Sequence, residues 1–231
     1  MSQQIYECNT NYFHMIDTED KAYWLGFIYA DGCVTKNHHA LIINLSPTDV
    51  EHLNLFNICI NSTYPIKYKD DGRYVSLTIT NKQFVENLIN KGCVPHKSLI
   101  LQFPTKEQVP THLIKHFIRG YFDGDGCIHT KMRQRKNKLR PYLECEVNFL
   151  GTYNMLFNIS KHIPLPDINI KEFGLIYKFR ICSKNKIIKL LDYLYEDSSF
   201  YLLRKYIKYI NDIKSYNIQN VLQNPVTITE C

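Results

Sequence analysis

GFIYADGCV (Gly26–Val34) returns as GYFDGDGCI (Gly120–Ile128), at an offset of 94 residues held through every position. Gly, Asp, Gly and Cys are identical; the remaining pairs are Phe27/Tyr121, Ile28/Phe122, Tyr29/Asp123, Ala30/Gly124 and Val34/Ile128. Self-similarity at one fixed spacing marks a duplicated unit, and the order of elements around each copy repeats as well. In the first half a short strand (34–36) leads to a strand over 40–46, a helix over 48–60, two strands (66–69 and 73–80) and a helix over 82–90 that stops at Gly92. Asp70-Asp71-Gly72 between alternating apolar positions predicts a hairpin. The second half predicts strands at 128–133 and 142–149, a helix at 152–162, a hairpin over 168–182 turning at Phe173-Gly174, and helices at 184–194 and 200–213.

Each motif closes a helix. Thr18, with Glu19 and Asp20 after it, is the expected N-cap of the first, and Thr111 that of the second. Ala22, Gly26 and Ala30 recur every four residues and form one small-residue stripe; Gly120 and Gly124 form its counterpart. Glycine inside a helix costs about 1 kcal/mol against alanine, so its repetition predicts two helices packed with backbones close together. Gly32 and Gly126 are expected to terminate them, which sets Asp31 beside Asp125. Two carboxylates at two helix C-termini repel each other and the helix dipoles. A divalent cation between hard oxygen ligands removes the conflict.

The 231-residue composition, 45% hydrophobic and 13% aromatic, excludes disorder, and the longest apolar run, Tyr23 to Ala30, is too short to span a bilayer. The first residues show no basic start or apolar leader, so an intracellular protein is expected, its compartment open. The eight cysteines form no Cys-x-x-Cys pair and are expected to be reduced and mostly buried. Net charge is +6, and residues 131–140 hold six basic side chains and no acid, so the excess is one local patch suited to a polyanion.

WLGFIYADG (Trp24–Gly32) and IRGYFDGDG (Ile118–Gly126) resemble the paired signatures of the LAGLIDADG homing endonucleases. GCVPHKS (Gly92–Ser98) with Phe103-Pro104, and YLLRKY (Tyr201–Tyr206), are similar to segments that follow each half in that family. The resemblance implies an α+β fold of two pseudo-symmetric αββαββα repeats, residues 1–104 and 105–231, with saddle-shaped antiparallel sheets packed through the two motif helices. It implies a monomer without a protein partner, acting on double-stranded DNA and not on membranes. The activity implied is Mg²⁺-dependent cleavage of both strands at a long, asymmetric site, with Mn²⁺ able to substitute. By the same resemblance Asp31 and Asp125, with Gly32 and Gly126, hold the metal. Lys97 and Lys205 (or its neighbour Arg204) supply basic groups, and Asn44 and Asn148 line the site. Arg119 departs from the usual motif letters and is expected to face solvent or a partner.

Strand alternation then selects the DNA-facing residues. In the first half these are Thr35, Asn37, Ile42, Asn44, Ser46, Lys67, Lys69, Tyr74, Ser76 and Thr78. In the second they are His129, Lys131, Arg133, Arg135, Lys138, Arg140, Glu144, Glu146, Asn148, Asn169, Lys171, Lys178 and Arg180. Arginine and lysine suit guanine or phosphate, asparagine suits adenine, and glutamate suits a cytosine amine. An RNA-binding intron maturase and a non-cleaving DNA-binding regulator are the alternative readings; the regulator fits poorly because both acids are retained.

Overall fold

A computed structural model of the protein describes residues 6–37, 39–134, 136 and 141–216. The first half runs α1 (Glu19–Asp31), β1 (Gly32–Val34), β2 (Ala40–Leu45), a 3₁₀ turn (Pro47–Asp49), α2 (Val50–Cys59), β3 (Ile66–Lys69), β4 (Tyr74–Thr80) and α3 (Lys82–Asn90). The second runs α4 (Ile114–Asp125), β5 (Gly126–Arg133), β6 (Tyr142–Gly151), α5 (Tyr153–His162), β7 (Ile170–Phe173), β8 (Ile176–Ile181) and α6 (Lys184–Tyr195). A short α7 (Leu203–Lys208) then passes into a π-helical stretch, Tyr209–Lys214. The fold is α+β: two four-stranded antiparallel sheets, ordered β1-β2-β4-β3 and β5-β6-β8-β7.

Each sheet turns one face inward because its side chains alternate. Leu41, Ile43, Leu45, Val75, Leu77 and Ile79 are buried in the first sheet, as are Val147, Phe149, Phe179 and Ile181 in the second. They join one apolar cluster that runs through both halves. Its centre is α1, whose residues Ala22 to Tyr29 are all buried, as befits a helix apolar on every side. Against it lies α4. A Cβ at Gly26 would stand 2.0 Å from the Phe117 carbonyl oxygen, and one at Gly120 1.9 Å from that of Tyr23. The two backbones therefore touch where any side chain would separate them.

Several expectations need correction. Thr18 makes no side-chain cap, and Thr111 lies in a 3₁₀ turn (Thr111–Leu113) that precedes α4. Gly32 and Gly126 do end α1 and α4 as expected, but in extended conformation, with φ −75° and −83°, and they begin β1 and β5 directly. Their lack of a side chain is instead steric: a Cβ would lie 2.6 Å from Ile28 at Gly32 and 2.1 Å from Phe122 at Gly126. The first strand consequently starts two residues earlier than alternation alone predicts. The helix expected over 48–60 begins as 3₁₀, because Ser46 caps a turn with Pro47 in its first position. Of the described cysteines only Cys93 and Cys145 are buried, while Cys33, Cys127 and Cys182 are exposed; all are free thiols. Arg119 is 0% exposed. Its guanidinium donates to the Phe200 and Leu194 carbonyls and, at 2.6 Å, to Glu19 on α1.

Candidate active site and nucleic-acid face

Asp31 and Asp125 are the last residues of α1 and α4. The close packing brings them to one place. A Cβ on Gly124 would lie 2.2 Å from that of Ala30 and 3.3 Å from Oδ2 of Asp31, so the small stripe also clears the space Asp31 occupies. Burial by surrounding protein, then the neighbouring Asp125, push the Asp31 carboxyl up to about 6, although its surface is open. Burial also raises Asp125, against the pull of Lys97, Lys205 and a hydrogen bond from Tyr121. Neither carboxylate has a salt bridge among the described residues.

The lysines answer a different need. Lys97, in the 3₁₀ turn Lys97–Leu99 after a left-handed His96, donates from Nζ to the Ala30 carbonyl at 2.7 Å. Lys205, on α7, donates to the carbonyls of Phe122 (2.7 Å), Asp123 (2.7 Å) and Gly126 (2.5 Å). Each ammonium therefore donates to carbonyls at the end of its own motif helix and offsets the negative end of the dipole. Both are buried, and burial lowers Lys205 to about 8. Arg204 points elsewhere: its Nε donates to both carboxylate oxygens of Asp49, at 3.0 and 2.8 Å, and ties α7 to the first half. Geometry thus separates Lys205 from Arg204. A cavity of about 170 Å³ lined in part by Lys97, Tyr121, Asp125 and Thr152 opens beside the pair.

Sequence reasoning passed over Asp123. It is 1% exposed and accepts from the Tyr23 hydroxyl (2.8 Å), the Tyr195 hydroxyl (2.7 Å) and the Leu202 amide (2.7 Å). Tyr23 comes from α1, and its oxygen lies 3.1 Å from Nε2 of His52, so the network crosses between halves. The Leu202 bond fixes the residue that precedes α7 as its N-cap, three residues before Lys205. The signal was present in the aligned motifs, where Asp123 stands at the position that Tyr29 holds in the first copy: an acid beside the apolar Tyr121 and Phe122.

The donor set suits a hard cation. Two carboxylates lacking counter-ions meet beside backbone oxygens, whereas among the described residues no group of three or more His, Cys, Asp and Glu gathers. Magnesium accepts few protein ligands and keeps waters. The Gly126 carbonyl already accepts from Lys205, which leaves it one lone pair.

The polar faces of the sheets hold the other candidates. Asn37, Asn44, Lys67, Lys69 and Thr78 are exposed, Thr35 and Tyr74 half-buried, and Ser76 buried in the first sheet. In the second, His129, Lys131, Arg133, Asn169, Lys171 and Arg180 are exposed. Asn148 is buried and donates to Glu146 at 3.2 Å. Glu144 and Glu146 are engaged by protein cations: Arg133 meets Glu144 at 2.8 Å, and Lys178 and Arg180 meet Glu146 at 3.5 Å each. Arg135, Lys138 and Arg140 lie outside the described residues. No described helix is long and apolar enough to cross a membrane.

No family model matches the chain, and no curated protein matches it in sequence. Solved structures do. The LAGLIDADG meganuclease I-AabMI bound to uncleaved DNA superposes with a TM-score of 0.61 at 12% identity, covering 87% of this chain and 91% of that one. The I-LtrWI LAGLIDADG homing endonuclease bound to target DNA gives 0.63 at 11%, covering 93% of both chains. The I-SmaMI LAGLIDADG homing endonuclease bound to cleaved DNA gives 0.60 at 10%, covering 91% and 93%. The chain has the LAGLIDADG fold, with both halves present.

Proposed function

We propose that this chain of LAGLIDADG fold is a site-specific DNA endonuclease of the homing type, acting as a monomer on a long asymmetric duplex. The observation that carries the reading is the pair of unneutralised carboxylates, Asp31 and Asp125, brought together by helices whose glycines serve that contact. Support comes from the comparisons too, since the similar chains were solved on DNA.

Asp31 and Asp125 would hold Mg²⁺, or Mn²⁺ in its place, with the carbonyls of Gly32 and Gly126 beside them. Bound there, the ion supplies positive charge at a scissile phosphate and lowers the pKa of water. The chain's own residues orient and exclude. Lys97 and Lys205, buried on the helix ends, add fixed positive charge where a phosphate gains negative charge. Asn148, held by Glu146, and Asn44 bound the site along the second strand of each half. The polar sheet faces lie along the major groove, and the basic residues 131–140 make the second half's grip stronger than the first's.

The test is selection of cleaved duplexes from a randomised library with Mg²⁺ and with EDTA. Enrichment of one long sequence, cut in both strands only with metal, is the expected result. Asp31→Asn and Asp125→Asn should each bind that sequence and fail to cut both strands. Metal-independent cutting, or an intact double-strand break in either variant, removes the assignment; binding of structured RNA with no DNA cleavage would return the maturase reading.

A further inference from the structure

Two arginines of the second sheet carry a geometry that the first sheet lacks. Arg133, ending β5, donates from Nε to Oε2 of Glu144 at 2.8 Å. Arg180, on β8, has its Nε 3.5 Å from Oε2 of Glu146 and 3.2 Å from Sγ of Cys182. An acid of β6 lies against the inner nitrogen of both, as a hydrogen bond at Arg133 and as an ion pair at Arg180, whose Nε hydrogen bond goes to Cys182; Nη1 and Nη2 have no partner among the described residues. The side chains stay 49% and 60% exposed on the polar face. The first half contains a single arginine, Arg73. Its own turn consumes it: Nη2 meets Asp70 Oδ1 at 2.6 Å, and Nε donates to the Asp70 carbonyl.

A guanidinium held at Nε cannot swing freely about its last bonds, and its two terminal nitrogens then project outward as a fixed pair of donors. That spacing matches O6 and N7 of guanine. The acid that holds it also repels phosphate, so these two arginines are poorly placed for backbone contacts and well placed for base edges. Arg180 pairs across the sheet with Asn148, which in turn pairs with Cys127, two residues beyond Asp125. Arg133 stands six residues farther along β5, about 20 Å at strand rise. The two therefore meet different base pairs.

We propose that Arg133 and Arg180, set by Glu144 and Glu146, each read one guanine in the major groove, and that the first half reads none by arginine. The inference rests on the sheets being the DNA face. It is tested by binding alone: full-length protein in EDTA is mixed with randomised duplex, and the retained sequences are counted. The wild type should retain sites with two guanines in one half only, each preferred roughly ten- to hundredfold over other bases. Arg133→Ala and Arg180→Ala should each erase one of these preferences and leave the rest of the profile. Lysine at either position should not restore it, because the fork is lost; Glu144→Gln and Glu146→Gln should weaken the same two positions. Arg73→Ala should change nothing. Retention of both guanine preferences, or an equal loss of affinity for all sequences, overturns the assignment while leaving DNA binding standing. A wild type that retains no sequence at all removes the DNA-face reading and this inference with it.

Discussion

Asp31 ends a helix where a carboxylate is disfavoured, and the price is measurable. Its folded pKa, about 6, exceeds the ordinary 3.8, so the fold favours the protonated form. The contribution to stability is complete below about pH 4 and is lost as pH rises through 6. Above that, the ionised side chain opposes folding by roughly 1 kcal/mol once the shift is discounted for the exposed surface. Asp31→Asn should therefore raise the metal-free melting temperature at pH 7.5 by about 2–4 °C and leave it unchanged at pH 3.5. Equal melting at both values would show that the acid costs nothing. Asp123 is also raised by burial, but unlike Asp31 it is held by three hydrogen bonds. Asp123→Ala strands two hydroxyls and an amide and should cost about 3–5 kcal/mol in chemical denaturation. Tyr29→Phe, at the matching place in the first copy, loses one bond to the Lys91 carbonyl and should cost about 1 kcal/mol. A comparable loss in the two variants would contradict the one-sided network. The paired acids Asp31 and Asp125 were legible in the sequence because repetition singled them out. Asp123 was not, since its partners come from positions 23, 195 and 202, which no local pattern connects.

Between α1 and α4 the contact is backbone against backbone, and this sets how substitutions behave at the level of elements. The Cβ of alanine at Gly26 or Gly120 would strike a carbonyl oxygen at 2.0 or 1.9 Å, and neither atom belongs to a flexible chain end. The helices must part, so Gly26→Ala and Gly120→Ala should each lose about 3 kcal/mol or more of stability and also separate Asp31 from Asp125. Gly72→Ala is the control. It sits in open space but at φ +84°, and should cost about 1 kcal/mol with the core unchanged. Thermal melts of the three proteins decide the matter, and a Gly26 variant as stable as the Gly72 variant would refute the close contact. The spacing of small residues was enough to foresee this packing. The starts of the helices were less legible: Ser46 and Pro110 open 3₁₀ turns that delay α2 and α4, because local turn chemistry competes with apolar periodicity over the same few residues.

Across the whole molecule the charge that matters is the charge left unpaired. Alternation named most of the outward residues of both sheets, Ser76 and Asn148 being buried under their neighbours, but it could not say that Glu144 and Glu146 lie against Arg133, Lys178 and Arg180, since diagonal neighbours depend on sheet twist and side-chain reach. The pairing divides the basic residues into two kinds. Lys131 and Lys171 have no salt bridge among the described residues, so neutralising phosphate is open to them. Arg133, Lys178 and Arg180 are already offset by a carboxylate. Counterion release makes log K fall with log salt by about 0.9 for each phosphate neutralised. Lys131→Ala and Lys171→Ala should each flatten the salt dependence of duplex binding by roughly that amount, for every sequence alike. Arg180→Ala should change the slope far less while altering which sequences bind. Glu146→Gln, by releasing Lys178 and Arg180 from their acid, should steepen it. Titrations between 50 and 200 mM salt (roughly the span over which such contacts weaken) separate these cases. A slope that falls equally for all four substitutions would mean that the carboxylates on this face do not decide which cations meet the DNA backbone.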